Sequence, residues 1–137
     1  MRHALALQPA SPYNKSNLAY LQLLDGKAQE ALATGQDISD EFFRLNVVAM
    51  AQHTLGHAKD SQQALEKLIS TYSEGAAYQI AEVYAWRGEK DKAFEWLERA
   101  HRQTDGGLEV FKVDPMLASL HSDPRFTAML RKLNFPP

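Results

Sequence analysis

Three glycines, Gly26, Gly56 and Gly88, stand 30 and 32 residues apart, and each closes one apolar run and precedes another. In NLAYLQLL the apolar positions are Leu18, Leu21 and Leu24, with Ala19 and Leu23 between them. In EFFRLNVVAMAQHTL they run through Phe42, Leu45, Val48, Ala49 and Leu55, and SQQALEKLISTY and AAYQIAEVYAW behave alike. Steps of three and four are the period of a helix, not of a strand. Each glycine is followed by a polar stretch (KAQE, HAKDSQQ, EKDK) that opens the next run. The pattern predicts a helix, a glycine turn and a helix, the αα-hairpin. At a helix C-terminus the glycine takes a left-handed backbone that a side chain would penalise. No segment alternates strictly with turn-rich flanks, so the fold class expected is all-α.

Hairpins recurring at such a period are the mark of a solenoid. The offsets from each glycine sharpen the reading. In the third hairpin Ala81 precedes Gly88 by seven residues, Tyr84 by four, and Ala93, Leu97 and Ala100 follow it by five, nine and twelve. Alanine at two of these places lets two helix backbones cross closely, with Tyr84 and Leu97 filling the space around them. The second hairpin has Ala49 and Leu65 in register but Ser61 and Leu68 where alanine is expected. The first has Ala19 and Ala31, and Gly35 cuts its second helix short. These residues resemble the tetratricopeptide repeat, whose period is about 34 residues. The resemblance implies a right-handed superhelical stack of hairpins.

The chain then divides into repeats at 12–41 (degenerate), 42–73 and 74–105. HALALQPAS lands in frame on the end of a preceding repeat helix over 1–11, so a longer parent protein is expected. The competing reading is an ordinary N-terminal helix ending in proline. Residues 106–137 are expected to cap the last hairpin, because a solenoid otherwise leaves its final apolar face open. Asp114-Pro115 and Asp123-Pro124 each pair a good N-cap with a good first helical residue, so short helices are predicted from Pro115 and Pro124. Phe126, Leu130 and Leu133 form the apolar stripe of the second. TLGHAKDSQQAL, YQIAEVYAWRGEKDKAFEWLERA and GLEVFKVDPMLASLHSDPRF together look like the C-terminal tetratricopeptide segment of multidomain bacterial signalling proteins. In those proteins it follows an adenylate cyclase, protein kinase or transcriptional-regulator domain.

Composition narrows the function. The 137 residues carry a net charge of −2, with a pI near 6.2, and lack the basic field of a nucleic-acid binder. There is no cysteine, which removes thiolate metal sites and disulfides. No apolar run reaches the ~20 residues of a membrane span, and a cytoplasmic location is expected. His53 and His57 are four apart, but Gly56 lies between them and no third ligand is near. His3, His101 and His121 read as solvated. The aspartates of the Asp-Pro pairs are explained by capping, Gly106-Gly107 joins two helices, and no nucleophile turn or phosphate loop occurs. No enzyme activity, cofactor or metal is expected.

What remains is binding. The first helices of stacked hairpins line a groove, and the groove-facing set is Tyr78, Glu82, Ala85 and Trp86 in the third hairpin. Its counterparts are Asn46, Met50, His53 and Thr54 in the second and Tyr13, Ser16, Tyr20 and Leu23 in the first. Tyr, Trp and Met are favoured in recognition patches. The competing reading is that Trp86 and Tyr78 pack against the next hairpin or the C-terminal cap. A carboxylate clamp of Lys, Arg and Asn is not formed, since only Asn46 is of that type. The expected partner is a protein or peptide with apolar anchors, and regulation of an upstream domain is the expectation that goes with the resemblance. The second function class is structural: a capping or self-associating segment of a longer solenoid.

Overall fold

The computed structural model describes residues 11–134. The helix end expected over 1–11 therefore falls, except for Ser11, outside the described residues. The described chain forms α1 (Pro12–Leu24), α2 (Ala28–Gln36), α3 (Glu41–Thr54), α4 (Ala58–Tyr72), α5 (Ala77–Trp86) and α6 (Lys90–Arg102). Two 3-10 helices follow, η1 (Gly106–Val110) and η2 (Pro115–Leu120), and then α7 (Pro124–Lys132). No strand occurs among the described residues, and the protein is all-α with adjacent helices packed together. None of its described helices is long and apolar enough to cross a membrane.

The three hairpin turns are built alike. Gly26, Gly56 and Gly88 have φ of 77°, 84° and 80°. At each, the amide after the glycine donates to the carbonyl five residues back: Lys27 to Gln22, His57 to Gln52 and Glu89 to Tyr84, at 2.8–2.9 Å. The glycine amide donates to the carbonyl three back, closing a Schellman turn that satisfies the last carbonyls of the helix. The end of α6 repeats these bonds, Asp105 N to Ala100 O and Thr104 N to His101 O, with Thr104 at φ 55° in the glycine's place.

The small residues at the crossings are buried as their register requires. Ala19, Ala49 and Ala81 are sealed, as are Ala31, Ser61 and Ala93 across from them. Ser61 fits because its hydroxyl donates to the Ala49 carbonyl at 2.7 Å, so a polar atom replaces a methyl without being orphaned. Gly35 lies inside α2, not beyond it, and α2 ends one residue later. A Cβ there would stand 2.6 Å from Val47 Cγ1, so close approach of α2 to α3 explains the glycine.

The chain divides into two compact units, with the boundary between Thr71 and Tyr72. In the first, α1 packs on α2, α2 on α3, and α1 on α3. Helix α4 is tied to α3 by the Ser61 bond and by Lys67 Nζ on Glu41 at 2.9 Å. In the second, α5 packs on α6, and η1 and η2 lie against α5. Asp105, Asp114 and Asp123 cap η1, η2 and α7, accepting from the amides of Gly107, Met116 and Arg125. Both proline-headed helices begin where the sequence places them, the first as a 3-10 helix. The apolar stripe of the second is corrected in one respect: Phe126, Met129 and Leu130 are buried, whereas Leu133 is half-exposed. Leu133 is already the C-cap, one residue past the helix, so the helical period no longer turns it inward.

Candidate protein-interaction faces

Of the residues expected to line a groove, Tyr13, Tyr20, Asn46, Met50 and His53 belong to the first unit. Tyr78, Glu82 and Trp86 belong to the second.

In the first unit α1 and α3 bring like positions together. Tyr13 and Phe43 each precede their hairpin glycine by thirteen residues, and their rings meet edge-on with centroids 6.5 Å apart. Phe42 adds a second edge contact at 5.3 Å. Tyr13 is 63% exposed, with the two phenylalanines half-buried behind it. Further along the helices the Tyr20 hydroxyl donates to Asn46 Oδ1. Asn46 and Met50 are buried, so they shape this face from beneath and do not line it openly. His53 is exposed. Ser16 is buried, its hydroxyl donating to the Tyr13 carbonyl at 2.8 Å. At the edge Lys15 Nζ holds Asp37 Oδ2 at 2.8 Å. That hydrogen bond and the ammonium charge keep the Asp37 carboxyl below the usual carboxylate range. The result is an exposed aromatic ladder bordered by a charge pair that is already matched.

The corresponding line of α5 is taken by the tail. Tyr78, expected in an open groove, is 1% exposed, and Glu82 and Ala85 are buried as well. The physical reason is a set of bonds from the last thirty-odd residues. The Tyr78 hydroxyl donates to Asp114 Oδ2 at 2.6 Å while Asp114 Oδ1 caps η2. Asp105 Oδ2 accepts the Tyr78 amide at 3.1 Å, supplying a cap that Ala76 cannot. Ser119 Oγ donates to the Ala85 carbonyl at 2.7 Å. Gly107 leaves room for the Tyr78 ring: a Cβ there would fall 2.7 Å from its carbons. Tyr78 thus packs against the cap, and Trp86, at the far end of α5, stays half-buried.

Helix α7 lies along α6. Arg125 bonds Asp91 and Asp123, both at 2.9 Å, and its guanidinium stands 4.5 Å from the Phe94 ring centroid. Lys132 bonds Glu98 at 2.7 Å. The bonds from the Arg125 side chain, and then the one from its backbone amide, depress the Asp123 carboxyl to about 2. Inward, Phe126 stacks on Phe111 at 4.6 Å.

The sequence reading missed Phe43, although its equal distance from the next glycine matches Tyr13. It also missed Asp105 altogether and the second role of Asp114. Capping their own turns was legible locally, but the contact with Tyr78 joins positions 27 and 36 residues apart. His57, four residues from His53, has Nδ1 at 2.7 Å from Gln52 Oε1, beyond the end of α3.

The chain matches no protein-family model, and it matches neither a curated protein nor a solved structure.

Proposed function

We propose that the protein is a non-enzymatic interaction module of tetratricopeptide type. Its hairpins form a right-handed superhelical stack, and its first helices bind a protein or peptide segment. The observation that carries this reading is the Tyr13–Phe43–Phe42 ladder of the first unit. An aromatic surface left 63% exposed at Tyr13, beside matched charges, suits apolar anchors better than a carboxylate. The resemblance to the C-terminal segments of bacterial signalling proteins extends the proposal: the module acts in the cytoplasm and regulates an upstream domain. Nucleic acid and membrane are not its partners on this reading, since the charge is −2 without a basic stripe.

A structural reading is favoured for the second unit by one observation, the tail bonded along α5 through Tyr78 and Ala85. There the cap takes the place of a ligand, and terminating a solenoid is its role.

Peptide-display selection on the immobilised full chain tests the module. Enriched sequences should carry aromatic or aliphatic anchors. Tyr13→Ala should weaken the selected peptides at least tenfold, with far-UV circular dichroism unchanged. Failure to enrich any sequence, or equal binding by Tyr13→Ala, would overturn the reading.

A further inference from the structure

The outer face of α1 carries a second, separate surface. Counted from the hairpin glycine, Asn17, Leu18 and Leu21 of α1 hold the places that Val47, Val48 and Ala51 hold on α3. On α3 those places receive α2: Gly35 sits against Val47 and Val48, and Val47 and Ala51 are fully buried. In the third hairpin the same places, Ile80 and Val83, are also fully buried. On α1 Leu21 lies open instead, 47% exposed, with Leu18 half-buried and Leu24 44% exposed further along the helix. They line a shallow depression with Lys27 and Glu30 at its edge.

We infer that this face of α1 is a docking site for one amphipathic helix of the α2 kind, with small residues four apart and leucine beside them. Three features select a helix over an extended segment. Leu18, Leu21 and Leu24 form an i, i+3, i+6 ridge about 9 Å long, close to two helical turns. A ridge of that type fits the i±4 groove of a facing helix, and Ala31 and Gly35 of α2 make such a groove by their spacing. An extended peptide would find no strand edge among the described residues to satisfy its backbone. The interface continues one already built in the molecule, α2 upon α3, one hairpin further out.

The probe is a stapled peptide of residues 27–38, held helical because so short a helix is marginal in water. It is titrated into the full chain labelled at leucine and valine methyls. Saturable shifts at Leu18, Leu21 and Leu24 are expected, with the Val47 and Val48 methyls unmoved. Leu21→Asp in the chain, or Gly35→Leu in the peptide, should weaken binding at least tenfold, whereas Tyr13→Ala should leave it unchanged. The two readings therefore fail separately. Absence of shifts at millimolar peptide, or shifts at Val47 and Val48 from displacement of α2, would overturn the inference. So would leucine-methyl shifts that follow the chain's own concentration together with a dimer in sedimentation, which would assign the face to a second copy.

Discussion

Gly35 sets two effects against each other. Alanine improves on glycine within a helix by about 1 kcal/mol. Here, however, the added carbon would stand 2.6 Å from Val47 Cγ1, and valine is too short and stiff to swing aside. Overpacking of this kind costs about 1–3 kcal/mol, so steric strain outweighs propensity. Gly35→Ala should lower stability by about 1 kcal/mol in a denaturant melt; a gain would mean that α2 is free to move off α3. Thr104 presents the reverse case. A β-branched residue at φ 55° occupies a turn that the chain elsewhere gives to glycine. Left-handed backbone costs a non-glycine residue about 1–2 kcal/mol, and the entropy of glycine returns only part of that. Thr104→Gly should raise the thermal midpoint, and a lower one would show that the threonine side chain holds the turn. The glycine turns themselves were legible because a left-handed residue leaves a compositional mark. The threonine turn was not, since nothing in threonine announces that backbone.

Among the elements the tail is the most exacting. The Tyr78 hydroxyl donates into the Asp114 carboxylate within a buried setting. Tyr78→Phe removes the donor and leaves the acceptor, a change that costs about 1–3 kcal/mol for buried groups. The variant should lose that much in denaturant melts while keeping its helix content. Asp123 gives the same region a pH response. Its carboxyl falls from the usual 3.8 to about 2 on folding through its bonds to Arg125. A depressed carboxylate stabilises the fold above its unfolded value, and that contribution disappears as pH falls through the folded one. Attachment of α7 should therefore weaken between about pH 4 and 2, and Asp123→Asn should flatten that part of the stability curve. Both Asp-Pro helix starts could be read from sequence because capping is local. The burial of Tyr78 could not, because its partner lies 36 residues away and only the folded tail brings the two together.

Across the whole molecule the recurring register is what orders the chain. Ala19, Ala49 and Ala81 are each fully buried at a fixed distance from a glycine with positive φ. Ala81→Leu forces four heavy atoms' worth of side chain into a crossing built for one methyl and should cost about 1–3 kcal/mol. Both tryptophans, Trp86 and Trp96, lie in the second unit, so the midpoint of tryptophan fluorescence should fall in that variant. An unchanged midpoint would break the register. The helices and their crossings were visible in the sequence as periodicity. The faces were less so, since of two tyrosines expected in the groove Tyr78 on α5 ends up covered and Tyr13 on α1 stays open. One bond of the tail offers a way to watch that covering come and go. The Tyr78 amide is held by a carboxylate 27 residues further along. Its deuterium uptake should therefore time each release of the tail from α5, with Asp105→Ala erasing the protection at that single amide first.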